Sequence, residues 1–279
     1  MKKISRRSFL AVAGLSVAAL ALTACGGSSA STASSVASSA ASSEAASTSA
    51  AAGELATVEA GKLTMATNAA FPPYEMTTDA GEFEGIDIET AQAIADKLGL
   101  ELQIDDMDFD AALLSVQQGK ADIVMAGVTV TDERKAVMDF SDSYATGIQS
   151  IIVPEGSDIA SPDDLAGKKI GTQRGTTGYI YCSDDFGDDS VVAYDDGLTA
   201  VQALNNGQVD AVVIDNAPAK EFVAANPGLV ILDTSYAEED YAIGMAKGSS
   251  LEDAVNAALE ELKADGTLQS IVDKYITAE

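Results

Sequence analysis

The sequence predicts an α/β fold with two similar lobes. From residue 55 onwards, short apolar runs alternate with helical segments, a pattern typical of predominantly parallel sheets that helices cover on both faces. One helix–strand unit also occurs twice, at residues 114–127 and 201–215, and its Gly-x-x-Asp joints are 88 residues apart. This repeat favours two lobes, and chance similarity of two joints is the alternative.

Residues 1–24 are predicted to be an export signal. The segment contains four basic residues and no acidic residue, and an apolar run at residues 9–22 follows the basic head. The run is too short and too rich in alanine for a comfortable membrane-spanning helix, and it is typical of a signal peptide. Arg6-Arg7 also fits a twin-arginine export motif, although arginine pairs occur by accident in basic head regions.

Cys25 is the predicted site of lipidation. It follows Leu22-Thr23-Ala24, which resembles the bacterial lipobox, in which the cysteine becomes the mature N-terminus; a chance cysteine behind an uncleaved signal is the alternative. Residues 26–53 are almost entirely Ser, Ala, Gly and Thr, which bury too little apolar surface to offset chain entropy. Residues 25–60 are therefore expected to be a lipidated cysteine and a disordered linker, with a local Ala-rich helix as the alternative.

The charge of the chain excludes several classes of function. The 279 residues carry 16 basic and 44 acidic side chains, and no histidine. Removing residues 1–24 removes four basic residues and no acidic one, so the net charge falls from −28 to −32. Such acidity argues against nucleic acid as a partner. Without histidine there is no Ser-His-Asp triad and no His-ligated zinc, and two cysteines cannot build a Cys-rich metal site.

Helix boundaries are marked by residue types that begin or end helices. Residues 87–98 carry apolar side chains at helical spacing, and Gly99 is expected to end that helix. Ser161-Pro162 and Ser250-Leu251 are each expected to begin a helix, and Gly266 is expected to end the C-terminal one. The predicted strands are residues 62–67, 101–105, 122–127, 148–154, 169–173, 191–194, 210–215, 229–233 and 241–246.

The ends of two strands predict where a ligand binds. In open α/β sheets, ligands lie beyond the carboxyl ends of the strands. Those ends in the two repeats are Ala126-Gly127-Val128-Thr129 and Asp215-Asn216. A cleft between the two lobes is therefore expected. Asp215 either caps the helix that follows or pairs with a cation on the ligand.

Two arginines remain after residues 1–24 are removed, Arg134 and Arg174. A guanidinium can hold a carboxylate through two parallel hydrogen bonds, and a surface ion pair is the alternative for each. The loop Gly175-Thr176-Thr177-Gly178 offers free backbone N–H groups to an anion, but it has no Walker-A lysine. Phe71 and Phe109 stand in polar surroundings, where each either contacts a ligand or packs in the core.

At these residues the chain resembles the family-3 extracellular solute-binding proteins of ABC importers, over residues 61–279. Gly85-Ile86-Asp87-Ile88-Glu89 matches a family motif, from which Thr90 departs. The stretch from Ala126 to Arg134, followed by Asp139-Phe140-Ser141, is the most specific match. The resemblance implies a two-lobed type II periplasmic-binding-protein fold with mixed, mainly parallel sheets and two hinge crossovers. Lobe 1 is then expected at 61–146 plus 240–279, and lobe 2 at 147–239.

The resemblance also implies roles for individual residues. Arg134 is expected to bind the α-carboxylate of an amino acid with Thr129 and Thr176, and Asp215 its ammonium with the Gly127 carbonyl. Asn68 and Gln173 are expected to face the far end of the ligand. Relatives selective for cationic amino acids often have Asp at the Asn68 position, so Asn disfavours such ligands, although Glu75 could compensate. The expected ligand-binding set is Asn68, Phe71, Phe109, Ala126, Gly127, Thr129, Arg134, Gln173, Thr176 and Asp215.

The resulting hypothesis is a monomeric, extracytoplasmic binding protein anchored to the cell membrane through Cys25. It would deliver an amino acid with a polar, uncharged side chain to an ABC permease, with no cofactor and no chemical step. Arg174 is not expected to contact the ligand. Two other functions stay open: an amino-acid-sensing receptor subunit, and a dehydratase-like enzyme on the same fold.

Overall fold

The structure, a computed structural model, describes residues 55–276. The predicted export signal, Cys25 and nearly all of the predicted linker lie outside the described residues. Within the described part of the chain, no helix is long and apolar enough to cross a membrane.

Strands and helices alternate along the described chain, and most of the predicted elements are found within a few residues of their expected bounds. The strands are β1 Lys62–Thr67, β2 Ala70–Phe71, β3 Glu75–Thr77, β4 Phe83–Glu84, β5 Glu101–Asp106, β6 Ile123–Val124, β7 Met138–Phe140, β8 Ala145–Pro154, β9 Ile170–Gln173, β10 Val191–Tyr194, β11 Ala211–Asp215, β12 Leu229–Ile231, β13 Ala237–Tyr241 and β14 Gly244–Ala246. The α-helices are α1 Ile86–Leu98, α2 Phe109–Gln117, α3 Asp132–Lys135, α4 Thr177–Phe186, α5 Gly197–Asn205, α6 Asn216–Ala225, α7 Glu252–Ala264 and α8 Thr267–Tyr275.

Two mixed sheets define the two lobes. Lobe 1 is built on a five-stranded sheet in the order β5–β1–β6–β14–β7, and lobe 2 on a six-stranded sheet in the order β10–β9–β11–β8–β12, with β13 also paired to β8. A small sheet of β2, β3 and β4, which the sequence pattern did not predict, belongs to the first half of lobe 1.

The sheets are less parallel than the strand–helix alternation predicts. β1 pairs in parallel with β5 and β6, and β9 with β10 and β11. The pairs made by β8 and β14, in contrast, are all antiparallel. β8 and β14 are the first strands after the two places where the chain passes between the lobes. Each runs in the direction opposite to its neighbours in the sheet, which makes its pairs antiparallel.

The repeat seen in the sequence is a repeated turn. Gly119 and Gly207 follow α2 and α5 with φ of 66° and 67°, in the left-handed region that glycine adopts without strain. Each turn leads to an aspartate whose carboxylate accepts a backbone N–H at 2.8 Å: Asp122 from Thr64, and Asp210 from Lys169. The same turn therefore joins helix to strand in both lobes.

Two crossovers connect the lobes side by side. The chain passes from lobe 1 to lobe 2 between β7 and β8, and it returns between β13 and β14. β8 and β13 pair with each other over five residues, from Ala145↔Tyr241 to Gln149↔Ala237. The lobe boundaries expected from the sequence fall inside these two paired strands.

One strand prediction near the C-terminus is wrong. The segment 241–246 is not one strand: Tyr241 ends β13 in the sheet of lobe 2, and β14 begins at Gly244 in the sheet of lobe 1. Gly266 ends the helix that begins after Ser250, as predicted: α7 runs to Ala264, and Gly266 follows its C-cap with φ of 81°. The second helix beyond it, α8, was not predicted.

The buried core holds the cleft walls in place. In lobe 1, α1, α7 and α8 pack against one another and α1 also packs against β1, where Leu63, Met65 and Ile94 are fully buried. Cys182 of α4 is a fully buried free thiol among apolar side chains of lobe 2, including Ile151 and Leu165. Burial raises the pKa of this thiol to about 12, so it acts as a small apolar residue.

Candidate functional site

All ten residues expected to bind a ligand line one cavity between the lobes, and Glu75 and Thr177 line it with them. Asn68, Phe71 and Arg134 come from lobe 1, whereas Gln173 and Asp215 come from lobe 2. Both lobes therefore supply side chains to the wall of this cavity.

Arg134 is buried at the wall of this cavity. It lies in α3, a single turn that begins where the Thr131 hydroxyl accepts the Arg134 backbone N–H at 3.2 Å. Its guanidinium donates from Nη1 to the Thr129 carbonyl at 2.7 Å and from Nη2 to the Gly175 carbonyl, in lobe 2, at 3.1 Å. The guanidinium carbon also lies 5.4 Å from the centre of the Phe109 ring. These contacts use two of the five N–H donors of the guanidinium.

The charge of Arg134 is maintained by nearby carboxylates. Burial lowers the pKa of Arg134, and the negative charges of Glu239 and Asp215 oppose that effect. An arginine side chain stays protonated in proteins. The cavity therefore presents a permanent buried cation.

Asp215 lies at the carboxyl end of β11 and is also buried. Its side chain does not cap α6. One oxygen accepts from Gln149 Nε2 at 2.9 Å, and the other from the hydroxyl of Tyr241. Burial raises the pKa of Asp215 to about 7, while the bonds from Tyr241 and Gln149 oppose the rise. The hydrogen bonds from Gln149 and Tyr241 therefore fix the orientation of the Asp215 carboxylate at the wall of the cavity.

At the opposite wall, the two amides predicted to face the far end of a ligand bond to each other. Gln173 donates from Nε2 to Asn68 Oδ1 at 2.8 Å, and Asn68 donates from Nδ2 to the Met107 carbonyl at 2.9 Å. Phe71 stacks on Tyr74 with ring centres 5.9 Å apart. Phe71 and Phe109 are both buried, and both also line the cavity.

The Thr176 loop has the geometry that its sequence predicts. Thr176 precedes α4, and its hydroxyl accepts the backbone N–H of Tyr179 at 3.3 Å. The N-terminus of α4 thus opens onto the cavity, where free N–H groups and the helix dipole favour an anion. Ala126 and Gly127 approach from lobe 1, and Gly127 has φ of 55°.

Glu75 and Asp87 form a second buried acidic pair beside the cavity. Glu75 is fully buried, and neither of its carboxyl oxygens has a hydrogen-bond partner among residues 55–276. Burial and the charge of Asp87 raise the pKa of Glu75 well above its usual range. Asp87 accepts the backbone N–H of Gly127 at 3.0 Å, and burial raises its pKa to about 6. Burial therefore disfavours the charged form of both carboxyl groups.

The sequence did not indicate three residues that support this site: Gln149, Glu239 and Tyr241. Glu239 and Tyr241 are alternate residues on β13, and both are buried while their neighbours Glu238 and Asp240 are exposed. The sequence Ala-Glu-Glu-Asp-Tyr does not show this alternation, because three acidic residues follow one another. In a chain with 44 acidic residues, one buried glutamate is not distinguished by its type.

Arg174 lies outside this cavity. Its side chain is about half exposed and pairs with Asp195 at 3.5 Å. It thus corresponds to the surface ion pair that was the alternative for both arginines.

The cavity offers one buried cation and one buried anion, with backbone donors and carbonyl acceptors between them. Among the described residues, no group of three or more Cys, Asp or Glu side chains could hold a metal ion. The arrangement can hold a small molecule that carries both charges. A two-lobed α/β fold with such a cavity between its lobes defines the class of type II periplasmic binding proteins.

The chain belongs to the bacterial extracellular solute-binding proteins, family 3, whose profile matches residues 63–278. It is 33% identical over 226 residues to the L-cystine-binding protein TcyJ of Escherichia coli K12, covering 79% of this chain and 85% of that protein. Two solved structures are similar over most of their length. One is an ancestral arginine-binding protein bound to glutamine, with a TM-score of 0.75, 42% identity, and coverage of 79% of this chain and 100% of that one.

The other solved structure is the amino acid ABC transporter substrate-binding protein AbpA from Streptococcus pneumoniae, bound to L-arginine. It has a TM-score of 0.73 and 38% identity, and the match covers 77% of this chain and 94% of that one. These relatives bind amino acids, and their ligands differ in the side chain. Membership of the family therefore leaves open the side chain that this cavity accepts.

Proposed function

We propose that this chain is the substrate-binding component of an ABC importer, which captures a free amino acid between its two lobes and delivers it to a membrane permease. The observation that carries the proposal is that buried Arg134 and buried Asp215 line the same cavity from different lobes. A free amino acid is a zwitterion, and burying it requires one cation and one anion to offset the loss of hydration. Each relative named above is also an amino-acid-binding protein.

The α-carboxylate of the ligand is assigned to Arg134 and to the N-terminus of α4 at Thr176. The α-ammonium is assigned to Asp215 and the Gly127 carbonyl. Because these groups come from both lobes, only the closed form brings them together, and the ligand then shifts the population towards closure. No cofactor and no chemical step enter this mechanism.

The side chain of the ligand is proposed to be polar and uncharged. Its far end would meet the amides of Asn68 and Gln173, with Phe71 and Phe109 on either side. Burial and the charge of Asp87 raise the pKa of Glu75 well above its usual range, which disfavours the charged form that a cationic side chain would need as its partner. A glutamine-like or cystine-like ligand fits these donors and acceptors.

Attachment to the membrane is proposed to occur through Cys25. The sequence Leu22-Thr23-Ala24-Cys25, after a basic head and an apolar run, supports lipidation and an extracytoplasmic location. A Ser/Ala linker of 28 residues would give the folded part a reach of roughly 30 Å. The protein is proposed to act as a monomer.

A thermal-shift screen of the purified protein against the common amino acids and cystine tests the function. A ligand that binds only the native state raises the melting temperature, and glutamine or cystine is expected to give the largest rise. The N-acetyl and amide derivatives of the best ligand should give none, because each removes one of the two backbone charges. A screen in which no amino acid raises the melting temperature would reject the proposal. A rise limited to arginine and lysine would reject the uncharged side chain only.

A further inference from the structure

Glu239 lies on β13, the strand by which the chain returns from lobe 2 towards lobe 1, and its side chain is only 7% exposed. The carboxylate accepts four hydrogen bonds. Its Oε2 accepts from the hydroxyls of Thr129 at 3.1 Å and Thr177 at 2.8 Å, and from Gln149 Nε2 at 3.2 Å. Its Oε1 accepts from the hydroxyl of Tyr181 at 2.6 Å. A carboxylate offers about four lone-pair sites, so these four donors satisfy it without a partner from outside.

The donors that meet at Oε2 come from different parts of the fold. Thr129 follows β6 in lobe 1, and Thr177 begins α4 in lobe 2. Their two hydroxyl oxygens lie 3.5 Å apart, and both residues line the cavity. One oxygen atom on the crossover strand therefore joins a residue of each lobe at the cavity wall.

These bonds fix what the two threonines can offer to a ligand. A hydroxyl has one proton and two lone pairs. When Thr129 and Thr177 donate their protons to Glu239, the remaining lone pairs can only accept. The Thr129 carbonyl also accepts from Arg134 Nη1 at 2.7 Å, so the orientation of Thr129 is passed on to the guanidinium.

We propose that Glu239 is a positioning residue of this binding site: from the crossover strand it fixes the hydroxyls of Thr129 and Thr177, and through Thr129 it holds Arg134 in place for the ligand. The proposal rests on the function proposed above for the cavity. In this proposal, Glu239 on the crossover strand couples closure of the lobes to capture of the ligand.

A double-mutant cycle tests this assignment. Glu239→Gln keeps the length of the side chain and removes its charge, and Thr129→Val removes only the hydroxyl donor. Each variant and the double variant of the full chain are measured twice, by calorimetry for affinity towards the amino acid that the screen selects, and by urea unfolding without ligand. Glu238→Gln, on the exposed face of the same strand, is the matched control.

We expect Glu239→Gln to weaken binding at least fivefold, while Glu238→Gln stays within twofold of the unaltered protein. The double variant should bind no more than twofold weaker than the weaker single variant, because both substitutions remove the same contact. Affinity losses that multiply would overturn the proposal. So would coupling in the unfolding free energy without coupling in affinity, which is the result that a merely structural role gives.

The unfolding cycle separates this inference from the proposed function. If no amino acid binds the unaltered protein, the proposed function fails. The Glu239–Thr129 contact is then judged on the urea data alone, where independent effects of the two substitutions would reject it. Tyr181→Phe provides a second variant, since it removes the donor to Oε1 and leaves the threonine bonds intact. It is expected to change affinity less than Glu239→Gln, and an equal or larger loss would argue against a role through Oε2.

Discussion

Gln173 and Asn68 are joined by a hydrogen bond of 2.8 Å between residues 105 positions apart in the chain. Asn68 follows β1 in lobe 1 and Gln173 ends β9 in lobe 2, so this bond closes the cleft at one end. The bond from Arg134 to the Gly175 carbonyl also joins the two lobes. The structure therefore represents the closed arrangement, in which groups from both lobes surround the cavity.

Replacing Arg134 with alanine should abolish binding at ordinary ligand concentrations. The substitution leaves the ligand carboxylate buried without its cation, which costs about 2–5 kcal/mol and corresponds to a loss of about 30-fold or more in affinity. Titration calorimetry with the ligand from the screen measures the loss. Arg174→Ala is the matched control, because Arg174 is half exposed and outside the cavity. A loss below threefold for Arg134→Ala would refute the carboxylate assignment, and a tenfold loss for Arg174→Ala would show a second carboxylate contact.

Affinity should increase with pH and level off above about pH 7. Burial raises the pKa of Asp215 in the free protein to about 7, and the proposed ammonium contact needs the ionised carboxylate. Below that pKa, affinity is expected to fall by up to about tenfold for each pH unit. Calorimetry between pH 5.5 and 8.5 in buffers of matched ionic strength measures the profile. Asp215→Asn should bind weakly and with a flatter profile, and an unchanged slope in this variant would assign the titration to another group.

The raised pKa of Asp215 also predicts how stability depends on pH: the free energy of unfolding should fall as the pH rises, whereas the affinity for the ligand should increase. A carboxyl with a raised pKa holds its proton in the folded state while the unfolded chain releases it at the ordinary value of 3.8. Asp215 therefore contributes stability below about pH 4 and loses that contribution as the pH rises to about 7. Asp87, whose pKa is raised to about 6, acts in the same direction. Urea unfolding without ligand should show Asp215→Asn losing less stability than the unaltered protein between pH 5 and 7, and a steeper loss in the variant would contradict the buried carboxyl.

Replacing Asn68 with aspartate should shift the preference towards cationic amino acids. The new carboxylate would lie within hydrogen-bond distance of Gln173 at the far end of the cavity, where the side chain of the ligand is proposed to end. We expect the affinity for arginine relative to glutamine to rise about tenfold, equal to about 1.4 kcal/mol. Competition calorimetry gives the ratio, and Asn68→Ala controls for loss of the amide. A ratio that does not change would mean that the ligand does not reach Asn68.

Alanine at Gly127 should be more damaging than alanine at Gly207. Both glycines have positive φ, 55° and 67°, so each substitution costs about 1–2 kcal/mol in backbone strain. At Gly127, a methyl group would also lie 2.8 Å from Cε1 of Phe71, whereas at Gly207 nothing lies within 4 Å. The unfolding free energy should fall by about 1–2 kcal/mol for Gly207→Ala and by about 2–5 kcal/mol for Gly127→Ala. Equal losses would show that Phe71 moves aside freely.

The cavity-lining residues around Arg134 could be predicted because they are contiguous in the sequence. Ala126, Gly127, Thr129 and Arg134 lie on one loop and one helical turn, so a local motif carries the geometry from strand end to helix. Asp215 could also be found, because it ends a run of four apolar residues at the carboxyl edge of a sheet. Both patterns lie within a short stretch of the chain, so a single sequence is enough to reveal them.

The supporting groups could not be found in the same way, because they meet only after folding. Gln149 and Glu239 lie on β8 and β13, ninety residues apart, and their side chains bond at 3.2 Å because the two strands pair. Both residue types are common on surfaces, so their burial is a tertiary effect. The small sheet of β2, β3 and β4 was missed because strands of two or three residues show no period.

The pairing of β8 with β13 makes lobe 2 an insertion. The chain leaves the sheet of lobe 1 and returns to it through neighbouring strands, so the segment between them starts and ends at one place. Such a segment can be exchanged as a single piece between relatives without redirecting the rest of the chain. Gln173, Thr176, Thr177 and Asp215 would travel with it, and Arg134, Asn68 and the two phenylalanines would remain. Under the function proposed above, each lobe contributes one side of the recognition, so an exchanged lobe 2 is expected to bring its own set of ligand contacts.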